Sequence, residues 1–323
     1  MSFFLRRLGH GLLVLLAVVT LVFLAIHVIG NPVDLLVDPQ ADQTDRARIL
    51  HQLGLDQPWW RQYVHFLAGA CRGDLGNSFL YGESALGLIL ERLPATLELA
   101  GAALLLALGL GLPLGLWAGL RPRSRLVPLI DALATLGFAL PTFWVGILLI
   151  LVFAVQGGWL PPGGRGATVT VAGVPLSILT LDGWRHLILP AFSLGLARLA
   201  LVIRLSRSSA RHIAAQGYMA YARAKGLTGP TRLFRHLLPN LWPGLITVLG
   251  LELGSLIAFA VVTESVFGWP GMGKLLIDAI AALDRPVVVA YLLLASALFV
   301  SLNLVTDLVH GWLDPRVREG RQE

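Results

Sequence analysis

Apolar positions in this chain come in long uninterrupted blocks, not at the short period of a soluble helix or strand. Runs at Leu8 to Gly30, Leu99 to Leu120, Asp131 to Gln156, His186 to Ile203, Leu241 to Val262 and Val287 to Thr306 alternate with polar stretches. About 20 residues of helix cross a hydrocarbon core of ~30 Å, so the pattern predicts six transmembrane helices, the second opened by Pro94. The first run follows Arg6 and Arg7. It is too long for a signal peptide and lacks a small-x-small cleavage site before Asn31, so it reads as a retained span. His27 near its far end reads as an interfacial residue rather than a metal ligand. In the third run Pro141 follows Ala139 and Leu140, and a proline there removes a backbone hydrogen bond and kinks the helix. A gating hinge and a plain kink are both open readings of it.

The connections differ in kind. Residues 31–94 carry Asp34, Asp38, Asp42, Asp45, Asp56, Asp74, Glu83 and Glu91 against Arg46, Arg48, Arg61, Arg72 and Arg92. Within them Thr44 can cap a short helix to about Leu53, and Pro58 can open another to about Cys71. Residues 157–184 are rich in Gly and Pro and then alternate as TVTVAGVPLSI, the pattern of a small hairpin. Arg204, Arg207 and Arg211 fall within ~60° of one another on a helix and point to headgroups or to an adjoining subunit. Of the 25 Lys and Arg, fifteen lie at the termini and in the second-to-third and fourth-to-fifth connections, nine lie in the longer remaining connections, and Arg198 lies inside a span. That asymmetry places both termini in the cytoplasm.

The stretch Gln216 to Trp242, QGYMAYARAKGLTGPTRLFRHLLPNLW, is the one long basic amphipathic segment between two apolar runs. Ala220 and Ala224 are four residues apart, as are Ala222 and Gly226, which leaves faces with little side chain for close docking. Thr228, Gly229 and Pro230 supply a stop and a new start. A basic loop on anionic headgroups and a helix-turn-helix are the competing readings, the second opposed by the flanking spans. The layout of helix, glycine and a later Leu-Pro resembles the EAA loop by which permeases of ABC importers touch their ATPases. The resemblance assigns ATPase coupling to Ala222, Gly226, Leu238 and Pro239, with Ala220 standing where the family loop opens with Glu. LGLDQP, QYVHF, GDLGNS, ERLPATLELA, TESVFGWPGMGKLLIDAI and the terminal DPRVR extend it to permeases for dipeptides, oligopeptides and nickel, across nearly the whole chain.

Composition narrows the classes. Hydrophobic residues make up 56% of the 323, charged residues 14%, and mean hydropathy is +0.74, the balance of a multi-pass membrane protein. The net charge of +6 reads as topology signal, not as a nucleic-acid footprint. One cysteine, Cys71, rules out an internal disulfide. GWPGMGK at Gly268 to Lys274 fits a phosphate-binding loop until Leu275 replaces the hydroxyl that holds magnesium. With the histidines scattered singly and no catalytic order of side chains, the chain is expected to carry no chemistry, no cofactor and no metal.

The resemblance implies an all-α type I permease in a bacterial inner membrane. Its parts would be residues 1–30 as a first helix, 31–94 as an extracytoplasmic segment, 95–313 as a five-helix core with the coupling loop at 216–240, and 314–323 as a cytoplasmic tail. The implied partners are a second similar permease, two ATPase subunits holding ATP and Mg, and an extracytoplasmic binding protein, with lipid around them. Peptides, glutathione, nickel chelates or opines would be the cargo. A stand-alone secondary transporter or channel is the alternative, for which the expected internal repeat is not evident. Two charges lie deep in spans, Arg198 and Glu252, at heights that let them pair. They are expected to line the translocation path or to tie helices. Glu264 and Trp269 are expected at the outer mouth, as a gate or as a turn joining helices.

Overall fold

The computed structural model describes residues 2–28 and 57–313. The expectations for Asp34, Asp38, Asp42, Asp45, the Thr44 helix and the terminal DPRVR lie outside these residues, as does the His27 side chain. Helix α1 spans Ser2–Val28, α2 Trp59–Arg72, α3 Ala85–Leu120, α4 Val127–Ala139 and α5 Thr142–Leu149, the last continuing as a π-helical stretch Ile150–Gln156. Strands β1, Val169–Val171, and β2, Val174–Leu176, form the expected hairpin, with Val171 opposite Val174. Its two-residue turn, Ala172 and Gly173, has positive φ at both positions, the geometry that matches strand twist. Then come α6, Leu181–Ala214, α7, Gly217–Ala224, and α8, Gly229–Arg232 with a π-helical stretch Leu233–Leu237. They are followed by α9, Leu238–Phe267, α10, Met272–Ala281, and α11, Arg285–Leu313.

Helix α3 begins well before Pro94, the expected start. Ser84 caps it by accepting from the amide of Gly87, and Pro94 sits in its interior. A membrane helix tolerates the lost hydrogen bond where neighbours re-satisfy the backbone. At 36 residues and 1.5 Å each, α3 is about 54 Å long. Its first turns therefore stand clear of a ~30 Å core.

Helix α6 is the centre of the bundle: 61% of its most apolar stretch is buried, against 11% in α1. It is seated on α3 through glycine. A methyl group on Gly111 would meet Val202 and the Leu199 carbonyl, on Gly115 the Ile203 carbonyl and Ser206, and on Gly119 the Arg207 carbonyl and Ala210. Gly195 returns the contact against the Ala103 carbonyl. Apolar burial gives little drive between helices in lipid, so small residues at such a seam let dispersion contacts between backbones supply it. Above the seam, Leu99, Leu187, Leu194, Leu256 and Trp269 share one buried cluster with Val287 and Tyr291.

The third span is a break, not a gentle kink. Helices α4 and α5 meet at 107°, with Leu140 extended before Pro141, as the clash of a proline ring with the preceding residue requires. The pair nevertheless crosses the bundle, because its neighbours climb α6 in order. Asp131 pairs with Arg207, Gly137 lies beside Ala200 and Leu196, and the Thr142 carbonyl accepts from Ser193 at 2.8 Å. Among the described residues α1, α3, α6, α9 and α11 are long and apolar enough to cross a membrane, and the bent pair taken as one span makes six. Arg7 and Asp307, 2.7 Å apart, bring the start of α1 and the end of α11 to one end of the bundle. That end also holds α7 and is called here the loop end, and the opposite one the hairpin end. Two of the three arginines read as anchors are engaged inside the chain: Arg207 by Asp131, and Arg204 over the Phe138 ring at 5.4 Å.

Candidate functional site

At the loop end, α7 ends at Ala224 and the chain turns on Gly226, whose φ is +75°. The Leu227 amide donates to the Ala222 carbonyl at 3.2 Å and the Gly226 amide to the Arg223 carbonyl at 2.9 Å. This paired closure needs a left-handed residue, which glycine adopts without strain. Gly226 is therefore the cap that closes α7. Ala222, with Met219, is buried against the chain itself. The face left open is formed by Ala220, Ala224 and Tyr221. Leu237 is buried, Leu238 half-buried and Pro239 exposed in the first turn of α9, so the Leu-Pro pair starts a spanning helix directly under the loop.

Halfway through the bundle Arg198 meets Glu252. Arg198 is the eighteenth of the 34 residues of α6, and Glu252 the fifteenth of the 30 residues of α9. Nε of Arg198 lies 3.0 Å from Oε2 of Glu252, yet its N–H is not aligned for a hydrogen bond, so the contact is one of charge. Nη2 donates to Ser255 Oγ at 2.8 Å, and Ser255 Oγ lies 2.8 Å from the Glu252 carbonyl and 3.1 Å from its Oε2. The guanidinium carbon stands 5.2 Å from the Phe259 ring centre, within cation–π range.

Among the described residues, three buried carboxylates hold the hairpin end. Glu264, at the last turn of α9, is fully buried. It accepts from Thr96 of α3 at 2.6 Å and from the Lys274 amide at 2.9 Å, while Thr96 accepts from the Met272 amide at 2.9 Å. The GWPGMGK segment thus does open a helix with free amides, and the chain's own hydroxyl and carboxylate fill the anion position there. Gly268, with φ of +57°, closes α9 as Gly226 closes α7, and turns Trp269 inward. That side chain is fully buried and its indole donates to the Ala95 carbonyl at 2.9 Å. Neither Glu264 nor Trp269 faces an opening; both fasten α9 and α10 to α3.

Sequence reasoning missed the second carboxylate. Glu98 accepts from Arg165 Nε and Nη2 at 3.0 and 2.8 Å and from the amides of Ser177 and Ile178 at 2.6 and 2.7 Å. Arg165 also donates to the Pro175 carbonyl at 2.6 Å. The hairpin connection is thereby bolted to α3. A charge one residue before the charge-free part of a span, facing a lone arginine in a Gly/Pro-rich stretch, was the available signal. Asp284 makes a third tie, accepting from Ser78 Oγ and from the amides of Phe79 and Leu80. Among the described residues no three His, Cys, Asp or Glu side chains converge as metal ligands.

Comparison with known proteins gives one answer from end to end. Residues 111–319 match the family described as "Binding-protein-dependent transport system inner membrane component", and residues 1–100 match "Binding-prot-dependent transport system membrane comp, N-term". The chain is 38% identical to the di/tripeptide transport system permease protein DppB of Pseudomonas aeruginosa, over 99% of this chain and all of that one. It is 34% identical to the glutathione transport system permease protein GsiC of Escherichia coli, over 98% and 99%. Its fold is similar to that in a structure of the inward-facing MetNI methionine ABC transporter, with a TM-score of 0.55 at 16% identity, over 70% of this chain and 96% of the other. Apolar spanning helices packed on one central helix and matches along nearly the whole length agree: the chain belongs to the binding-protein-dependent transport system inner-membrane component family, as a multi-pass permease subunit of an ABC importer with the type I permease fold.

Proposed function

We propose that this permease forms half of the translocation path for a peptide or a peptide-like solute such as glutathione. A second similar permease supplies the other half. The solute arrives on a binding protein at the hairpin end, and two ATPase subunits at the loop end hold ATP and Mg. The observation that carries this reading is α7, a short helix with a rigid glycine-closed turn, a small open face at Ala220 and Ala224, and α9 rising from it toward the centre of the bundle. The excess of Lys and Arg at that end supports a cytoplasmic position. Names borne by the relatives supply the solute class.

Ala224→Trp tests the docking face without touching the cap. The expected outcome is normal insertion and yield with at least a tenfold loss of copurifying ATPase subunit. Gly226→Trp should also lower coupling, but through the strain of a bulky residue at positive φ, on the order of 1 kcal/mol or more. Parental ATPase retention by Ala224→Trp would rule out this face. Orientation is checked separately: Cys71 is exposed at the end of α2, which packs through Tyr63 and Phe66 on Phe23 of α1. An impermeant maleimide should label it in intact cells with a permeabilised outer membrane. Labelling only after lysis would invert the arrangement.

A further inference from the structure

The charged pair at the centre is incompletely satisfied. Of the five N–H groups of Arg198 only one, on Nη2, has an aligned acceptor among the described residues, and Glu252 Oε1 has no partner there. Arg198 keeps 9% of its side chain exposed and Glu252 keeps 28%, so the carboxylate rather than the guanidinium reaches the open face of α9. Leu251, Phe259 and Val262 stand exposed on that helix. Both residues lie at the midpoint of their helices, where a charge costs about 2.5–3.5 kcal/mol on insertion scales, and lipid cannot meet the unsatisfied groups. A tie between helices would be expected to use an aligned fork, as Arg165 does on Glu98 with two donors. Here the fork is turned aside, one arm is held by Ser255, and an aromatic ring lies within cation–π range. That is a guanidinium positioned to bind a carboxylate, with a single carboxylate loosely in place.

We propose that Arg198 is the permease's own site for a solute carboxylate, and that Glu252 occupies it as an internal stand-in when the path is empty. On arrival the solute carboxylate takes the Arg198 fork, which planar two-point pairing favours. Glu252 is then free to receive the solute ammonium group. A zwitterion is thereby met at both ends in the middle of the membrane, where neither charge could otherwise be left. This rests on the peptide reading above.

The test uses the assembled importer, permeases with ATPases, in proteoliposomes with its binding protein and radiolabelled dialanine as the probe. Arg198→Gln is expected to lower uptake at least roughly tenfold, the loss of one charge-assisted hydrogen bond, with unchanged affinity for the loaded binding protein. Glu252→Gln is expected to raise passive dialanine leak several-fold without ATP, because the stand-in no longer holds the fork. Parental uptake by Arg198→Gln overturns the proposal, as does recovery of parental uptake by the swap Arg198→Glu with Glu252→Arg, which marks a tie between helices. Should Arg198→Gln not assemble, Ser255→Cys in a Cys71→Ser background gives a second reading. Its thiol should react with a small cationic methanethiosulfonate and be slowed several-fold by dialanine-loaded binding protein, whereas a thiol inert in every state overturns the site. A parent complex that binds its ATPase yet imports no dialanine removes the peptide reading, and this site with it. Parental import alongside an indifferent Arg198→Gln removes this site alone.

Discussion

Gly115→Leu is expected to abolish the folded permease, whereas Gly101→Leu, on the same helix, should leave it intact. A Cβ at Gly115 would lie 2.5 Å from the Ile203 carbonyl oxygen, 2.8 Å from Ser206 Cβ and 3.2 Å from the Arg207 amide nitrogen. Two of these three are backbone of the central helix, which cannot rotate away as a flexible side chain would. Helix α6 would have to move off α3, and Gly111 and Gly119 would lose their contacts in the same step. Overpacking one site in a core costs roughly 1–3 kcal/mol; a leucine against rigid backbone at the centre of the largest seam should exceed that range. A methyl at Gly101 meets nothing within 4 Å, so leucine there tests helix propensity and hydropathy alone. The measurement is the monodisperse fraction in detergent together with the thermal midpoint, with Gly115→Ala expected between the two. A Gly115→Leu protein with parental yield and midpoint would mean that the seam is not what seats α6.

The spans were legible because membrane crossing imposes one local requirement, a long apolar run, and each run meets it by itself. The hairpin was legible for the same reason: its alternation and its Ala-Gly turn lie within a few residues of each other. What was not legible is which of two equivalent patterns faces inward. Spacing of four described Ala220 with Ala224 as well as Ala222 with Gly226, and only the end of α7 at Ala224 separates them. Glycines 101, 109, 111, 115 and 119 likewise look alike in sequence, yet the first two meet open space and the other three meet α6. Pro94 misled because a proline that opens a helix and one tolerated inside a membrane helix read identically, and the deciding cap, Ser84, lies ten residues earlier. The deep pair was found because two charges inside apolar runs are conspicuous. Glu98 and Arg165 were not, since one stands at the edge of a run, the other in a turn-rich connection, and 67 residues separate them.

Removing Arg165 is expected to loosen the whole hairpin end, more than removal of any surface charge on the chain. Only 1% of the Glu98 side chain is exposed, and Arg165 provides its one full countercharge. With Arg165→Ala the carboxylate keeps the amides of Ser177 and Ile178 but loses its ion-pair partner in a buried place. Breaking one partner from such a pair costs roughly 3–5 kcal/mol. For a protein of this size that lowers the thermal midpoint on the order of 10 °C. The loss has a defined location, since Arg165 also holds the Pro175 carbonyl and stands 5.9 Å from the ring centre of Trp269. Amide exchange in Val174 to Ile178 should accelerate while α3 near Gly115 stays protected. Glu98→Leu should accelerate the same amides, which lose their acceptor. Combined with Arg165→Ala it should cost less than the two single changes added together, because no charge is then left buried alone. If Arg165→Ala exchanges at these amides as the parent does and melts at the parental temperature, the pair is not what fastens the connection to α3. The buried Glu264, bonded to Thr96 and to the Lys274 amide, and Asp284, bonded to Ser78 and to the amides of Phe79 and Leu80, would then be holding that end of the bundle.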